Sequence, residues 1–352
     1  MPTILRYAKL LPGILLPVLI GLSAIAQPYQ DDLNLPGLKQ RIDSMLTAAE
    51  QQGFSGTILL LSADDVLLNK GYGYSDCRNK KTRTGLLYDM GSITKSITGA
   101  AILRLVQNQK LGLQSKVKDL VPGWPEDKAG ITIVHLLMHQ SGLKEDLGLD
   151  ETYISRDSLM QKIKASTLLF QPGEKTQYSN AGFSLLGYII ETVSGKDYEA
   201  YLQQEFFRPL NMKHTGYTVS RKEKLACGML KQKQWGTVTD YYGPDGPSWY
   251  LKANGGMLTT TTDLQRFFDA LLKSELLPRE QKDLMIAAMT RKTKQGNRII
   301  RSSGANNIFS SAYCHWLDHN LGFVLFTNNS AFPKERIEPA IIGAIDLALD
   351  RN

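Results

Sequence analysis

The arrangement of strand-like and helical runs constrains this chain most. The apolar runs Gly56–Ser62 and 66–71 flank Ala63-Asp64-Asp65 and read as a β-hairpin. Near the other end, 298–302, 308–316 and 321–327 read as three more strands, with Asp318-His319-Asn320 as the turn between the last two. Between these clusters, roughly 92–215, the apolar period is mostly helical. Residues 36–51 place Leu38, Ile42, Met45, Leu46 and Ala49 on one helical face, and 334–350 do the same with Ile337, Ile341, Ile342, Ile345 and Leu347. Strands at both ends pair most simply in one sheet. The expected fold is therefore α+β: an antiparallel sheet from both termini, flanked by helices, with a mostly helical lobe inserted.

The first residues carry a different signal. Arg6 and Lys9 precede an almost wholly apolar run from Leu10 to Leu22, and Ala24-Ile25-Ala26 follows as a small-x-small cleavage site. This is the pattern of a secretory signal peptide over 1–26, with 27–352 as the mature domain. The run is short for a membrane span and is interrupted by Pro12 and Pro17, so contact with a membrane is expected only through this segment if it stays uncleaved. The expected location is periplasmic or secreted, an oxidising setting where Cys77, Cys227 and Cys314 allow one disulfide with one thiol left over, or none. Removing Arg6 and Lys9 takes the net charge from +7 to +5, spread without a basic block, so no nucleic-acid partner is expected.

Ser-x-x-Lys occurs at Ser92–Lys95 and again at Ser115–Lys118. Context separates the two. Ser92 opens a long apolar helical stretch with Ile93, Ile97, Ala100, Ala101 and Leu105, whereas Ser115 lies in a polar connection before Pro122. Residues i and i+3 share a helix face, which brings Lys95 within reach of the Ser92 hydroxyl. Burial in an apolar helix lowers a lysine pKa, and a neutral amine is a base able to activate a serine. The plain alternative is an N-cap serine followed by an exposed lysine.

Tyr178-Ser179-Asn180, the single Tyr-x-Asn of the chain, opens a second apolar helix after the turn Gln171-Pro172-Gly173-Glu174. Tyr178 beside a cationic lysine is expected to have a lowered pKa and to shuttle protons. Asn180 offers a donor and an acceptor to a bound amide. A helix cap with a half-buried tyrosine explains the same residues. Ser302-Ser303-Gly304-Ala305 ends a strand-like run, where small side chains let a substrate pair with the strand edge and the Ala305 N–H join that of Ser92 as an oxyanion donor.

These three elements, in this order, resemble the serine β-lactamase and penicillin-binding superfamily, in particular its branch of class C β-lactamases, DD-peptidases and family VIII-type carboxylesterases. The stretches 131–143 (ITIVHLLMHQSGL), 178–195 (YSNAGFSLLGYIIETVSG), 207–215 (FRPLNMKHT) and 253–264 (ANGGMLTTTTDL) carry the resemblance over roughly 36–350. It implies a β-lactamase/transpeptidase-like fold and an exported serine hydrolase that cleaves an amide, β-lactam or ester through a Ser92 acyl-enzyme. Lys95 resembles the general base, Tyr178 the second base, and Asn180 the residue that holds the substrate amide. Ser302, Ser303 and Gly304 occupy the place of the Lys-Thr-Gly or His-x-Gly motif, a register supported by Phe309-Ser310-Ser311.

One departure stands out. The resemblance calls for Lys or His where this chain has Ser302, a cation that meets the substrate carboxylate. A lost charge-assisted bond costs about 1.5–3 kcal/mol, or roughly 10–150-fold in binding or rate. Arg301 projects to the other face of a strand; Arg298 and Lys252 are the remaining candidates for that charge. A carboxylesterase on neutral esters, or a penicillin- or peptide-binding module without turnover, are the alternatives. The expected partner is a small-molecule or peptide substrate.

Other sites are set aside. His135-x-x-x-His139 and His315-x-x-x-His319 have the spacing of a metal pair but lack the HExxH glutamate. There is no Gly-x-Ser-x-Gly elbow, P-loop or strand-following Gly-x-Gly-x-x-Gly. Neither a metal nor an organic cofactor is expected. Tyr241, Tyr242, Trp249 and Tyr250 around Gly243-Pro244-Asp245-Gly246-Pro247 read as a cleft wall or as packing under a turn.

Overall fold

A computed structural model of the chain describes residues 33–74, 80–218, 224–230, 233–243, 246–273 and 276–350. The expected export signal and Cys77 lie outside the described residues.

The main sheet has six strands: β1 (Gly56–Ser62), β2 (Asp65–Tyr72), β3 (Thr290–Lys292), β4 (Arg298–Ala305), β5 (Ser310–Trp316) and β6 (Leu321–Thr327). Their order is β2-β1-β6-β5-β4-β3, every pair antiparallel. The first hairpin thus sits beside the last strand, with Gly56 opposite Thr327 and Ser62 opposite Leu321. The two termini build one sheet, as the sequence predicts.

Every residue of β1, β5 and β6 is buried, because helices cover both faces. On one face, Ile58, Leu60, Trp316, Phe323 and Leu325 pack with Leu38, Ile42 and Leu46 of α1 (Leu35–Gln51) and with residues Ile341 and Ile345 of the last helix. On the other, Leu59, Leu61, Tyr313, Val324 and Phe326 join a larger core around α2 (Thr94–Gln107) and α3 (Asn180–Ser194). The remaining long helices are α4 (Thr261–Leu272), α5 (Arg279–Met289) and α6 (Glu338–Leu349). Strand alternation sends successive side chains to these two cores.

Helix α2 is the centre of the molecule. Ile97, Ala100, Ala101, Ile102, Leu103 and Leu105 are all buried on it. Truncating one of its large apolar side chains to Ala costs about 2–5 kcal/mol. Its N-terminus therefore occupies a fixed position over the sheet, and the candidate site sits there.

Several bounds differ from expectation. β4 runs to Ala305 rather than stopping at Ser302, and a 3-10 turn over Lys334–Arg336 precedes α6 instead of continuous helix. Pro333 and Pro339 explain the second difference, since proline cannot donate inside a helix. Cys227 is disulfide-bonded, and Cys314 is a buried free thiol. Among the described residues no helix is long and apolar enough to cross a membrane.

Candidate active site

Ser92 lies in a 3-10 turn, Gly91–Ile93, that leads directly into α2. The turn is pressed onto β4. A Cβ built on Gly304 would lie 2.1 Å from the Met90 carbonyl oxygen and 2.6 Å from the Ser92 nitrogen, so only glycine fits there. Gly91 has φ +52°, and a Cβ on it would lie 2.7 Å from the Ala305 nitrogen. The two glycines let the backbones of 91–92 and 304–305 meet. This brings the amides of Ser92 and Ala305 into one neighbourhood, the arrangement an oxyanion requires.

Lys95, one helical turn on, is 8% exposed. Its Nζ donates to the Asn254 carbonyl at 2.7 Å and to Ser92 Oγ at 3.2 Å. The ring of Tyr178 lies 4.7 Å from the same nitrogen and that of Phe183 5.7 Å. Burial pulls its pKa down to about 7, against the opposing pull of Asp146, Asp150 and Glu145. The lysine is a base poised at neutral pH.

Tyr178 OH lies 2.6 Å from Ser92 Oγ, which completes a trio. The segment beside it is held from three directions by His139. Gln177 N donates to the His139 carbonyl at 2.8 Å, Ser179 N donates to His139 Nδ1 at 3.1 Å, and the imidazole packs on the Tyr178 ring with centroids 4.6 Å apart. Ser179 caps α3 by accepting from Gly182 N at 3.0 Å. The expectation of a lowered Tyr178 pKa is overturned: burial raises it to about 12, and Glu145 and Asp146 push the same way against the Ser92 hydrogen bond. The phenol is therefore protonated at neutral pH, because burial outweighs the hydrogen bond from Ser92.

Asn180, the first residue of α3, donates from Nδ2 to Asp146 Oδ1 at 2.8 Å. Ser302 points at α2, its Oγ 3.0 Å from Ser96 Oγ. The cations that stood to replace a charge at Ser302 are engaged elsewhere. Arg301 grips Glu338 at 2.6 and 3.0 Å, Arg298 pairs with Asp318, and Lys252 lies over the rings of Tyr217 and Trp249. Strand β3 pairs only with 298–300, so among the described strands none covers the β4 edge from 301 to 305.

The residues set aside behave as packing or caps. Ser115 Oγ accepts from Gly112 N, and His135 Nδ1 accepts from Thr132 N in a capping box. No cluster of metal-ligating side chains occurs among the described residues. Tyr250 accepts from Lys162 Nζ and Tyr242 donates to buried Asp89, so both are structural. Sequence reasoning missed Asp89, Ser96 and Asp146, and used 253–264 only as resemblance although the Asn254 carbonyl holds Lys95. Nothing in a local pattern marks residues that act across such separations.

The family model described as Beta-lactamase matches residues 38–345. Protein flp from Staphylococcus aureus (strain COL) is 29% identical over 330 residues, covering 85% of this chain and 65% of its own length. The chain thus spans just under two thirds of that relative. Among solved structures, the octameric penicillin-binding protein homologue from Pyrococcus abyssi has a TM-score of 0.74 at 22% identity, over 90% of this chain and 77% of that one. The D-amino acid amidase from Ochrobactrum anthropi SV3, complexed with L-phenylalanine, has a TM-score of 0.74 at 21% identity, over 89% and 99%.

Proposed function

The chain belongs to the β-lactamase family, and on that footing we propose that it is an exported serine hydrolase that cleaves an amide or ester through a Ser92 acyl-enzyme. The observation that carries the reading is the trio itself: Ser92 Oγ within 2.6 Å of Tyr178 OH and 3.2 Å of a lysine whose pKa is about 7. The disulfide at Cys227 supports an oxidising destination.

In acylation, neutral Lys95 takes the Ser92 proton as Oγ attacks the carbonyl carbon. The amides of Ser92 and Ala305 receive the developing oxyanion. The C–N or C–O bond then breaks, and the leaving nitrogen or oxygen takes the Tyr178 proton. Lys95, now an ammonium, restores it to Tyr178. In deacylation water attacks the ester, passes its proton through the same pair, and Ser92 is released with the acid product.

Ser302 favours amides and esters without a free carboxylate over β-lactams and carboxypeptidase substrates, since it brings a hydrogen bond and no charge. The test is intact mass and turnover with p-nitrophenyl acetate, a chromogenic cephalosporin and a fluorescent penicillin. A Ser92 adduct with ester turnover, abolished in Ser92→Ala, is the expected result. A stable adduct without turnover would instead support a binding module. Well-folded protein without adduct or turnover for any probe overturns the reading.

A further inference from the structure

Lys95 Nζ lies 2.7 Å from the Asn254 carbonyl and 3.2 Å from Ser92 Oγ, so the main-chain oxygen is its closer partner. That oxygen belongs to a segment with an unusual backbone. Ala253 is fully buried and has φ +71°, a left-handed conformation that glycine adopts freely and alanine rarely does. Such a conformation persists only where the surroundings over-determine it. Here they do. The Ala253 N–H donates to Tyr217 OH at 2.8 Å, and the Ala253 carbonyl accepts from Thr98 Oγ1 at 2.6 Å. Tyr198 OH lies 2.7 Å from the same Thr98 oxygen. A Cβ built on Gly187 of α3 would lie 2.5 Å from that of Ala253, so the alanine methyl is seated where α3 has no side chain. The two peptide planes that flank Ala253 are thus held separately, one by Tyr217 and the other by Thr98.

The next peptide plane carries the oxygen that meets Lys95. Gly255 N, in that plane, donates to the Leu251 carbonyl at 2.9 Å, and Asn254 Nδ2 donates to Ser184 Oγ at 2.8 Å and to the Tyr250 carbonyl at 2.6 Å. Lys95 and Thr98 share a face of α2, and they reach the consecutive carbonyls of Asn254 and Ala253. A neutral amine has two N–H bonds and one lone pair. To take the Ser92 proton, Lys95 must aim its lone pair at Oγ, so an N–H has to be directed elsewhere. The Asn254 carbonyl accepts it. After the transfer, the same oxygen accepts from the ammonium and favours that form.

We propose that Thr98 and Tyr217 are positioning residues for the base: by locking Ala253 in its left-handed conformation they set the Asn254 carbonyl, which aims the Lys95 lone pair at Ser92. This rests on the acyl-enzyme reading above and adds what orients its base. Thr98 and Tyr217 are both buried, and neither is charged, since burial pushes the Tyr217 phenol up and keeps it protonated. The charged and titratable groups that face Lys95 are Asp146, Asp150 and Glu145 on one segment, Tyr178 before α3, and His139. Removing the Thr98 or the Tyr217 hydroxyl leaves all of them in the chain. A change in the titration of Lys95 after either removal therefore runs through Ala253 and Asn254.

The experiment measures kcat/KM for p-nitrophenyl acetate against pH in the full chain. Each value is divided by the Ser92 that a fluorophosphonate labels to completion, read by intact mass, so that unfolded protein does not count. Thr98→Val keeps the shape and removes the hydroxyl, Thr98→Ser keeps the hydroxyl, and Tyr217→Phe removes the acceptor of the Ala253 N–H. Misplacement by about 1 Å costs about 10²-fold, so the plateau should fall by about that factor in Thr98→Val and in Tyr217→Phe. The acid limb, at about 7 in the parent protein, should move down by up to about one unit in both as the ammonium loses its held acceptor. Thr98→Ser should keep most of the plateau. The two hydroxyls act on one residue, so the Thr98→Val, Tyr217→Phe double variant should lose less than the product of the single losses. A lower melting temperature with plateau and limb unchanged overturns the inference, as does a loss in Thr98→Ser as large as in Thr98→Val. Either result leaves the acyl-enzyme reading standing. If Ser92 of the parent protein reacts with neither reagent, both fall together.

Discussion

Ser302 Oγ meets Ser96 Oγ at 3.0 Å, hydroxyl against hydroxyl, where relatives of this fold are expected to hold a cation. The contact ties the β4 strand to the first turn of α2 without adding charge to the site. Ser302→Lys should therefore change substrate sign more than it changes structure. Activity on a chromogenic cephalosporin, which carries a carboxylate, is expected to rise about tenfold or more, relative to p-nitrophenyl acetate in the same preparation. An unchanged ratio would mean that this position does not meet the substrate.

Lys95 sets the acid limb. Its folded pKa lies near 7, well below its ordinary value, so the fraction able to accept the Ser92 proton grows as pH rises through neutrality. Plots of log kcat/KM against pH should climb with an apparent pKa of about 7 and level off above it. Lys95→Arg keeps the charge but removes the base, and the loss should be about 10²–10⁴-fold at every pH. A limb that survives in Lys95→Arg would assign the titration to another group.

Tyr178 sets what the alkaline side does not show. Its pKa of about 12 means that the phenol remains protonated, and no alkaline limb from it is expected below pH 10. Tyr178→Phe should lose about 10²–10⁴-fold on amides, whose nitrogen must be protonated to leave. It should lose far less on p-nitrophenyl esters, because p-nitrophenolate leaves as an anion. Equal losses on both classes would indicate that the hydroxyl orients Ser92 rather than supplying a proton.

His139 and His315 tie stability to pH. Burial lowers both pKa values to about 4, and Lys95 adds to the effect at His139. The unfolded chain binds their protons near pH 6.5 while the fold does not. Stability therefore falls as pH drops from about 6.5 to 4, by up to about 1.4 kcal/mol per pH unit for each histidine. Urea unfolding at pH 7 and pH 5 measures the slope. His139→Asn should reduce it: asparagine tolerates the φ of +56° at this position and its Oδ1 still accepts from Ser179 N. A slope equal to that of the parent protein would place the titration elsewhere.

Much of this architecture is legible in the sequence because it rests on local periodicity. The α2 pattern puts Lys95 on the face of Ser92, and the alternation in β4 sends Arg301 to Glu338 and Ser302 to Ser96. What local pattern does not carry is the chemistry between distant segments. Ser92 and Tyr178 are 86 positions apart, and the charge state of the tyrosine depends on how deeply their meeting point is enclosed. A neighbouring lysine argues for a lowered pKa only where burial of the phenol does not outweigh it. Asp146 was equally hidden, since an exposed carboxylate in a loop reads as solvated until Asn180 is seen to hold it.

Asp89 joins the two halves of the oxyanion pocket. Its Oδ1 accepts from Gly91 N at 2.7 Å, and its Oδ2 accepts from Tyr242 OH and from Asn306 Nδ2, each at 2.8 Å. Asn306 Oδ1 in turn accepts from Ile308 N and Phe309 N, which turns the chain after Ala305. One buried carboxylate thus fixes the residue before Ser92 against the residue after Ala305. Burial raises its pKa, with the three hydrogen bonds opposing. Asp89→Ala removes the clasp without touching substrate. Misplacement of an amide by about 1 Å costs about 10²-fold in rate, so kcat should fall by about that factor while KM changes little. Asp89→Asn keeps an acceptor for Gly91 N and should recover part of the loss. If Asp89→Ala lowers the melting temperature but leaves kcat per acylable Ser92 unchanged, the clasp serves the fold alone.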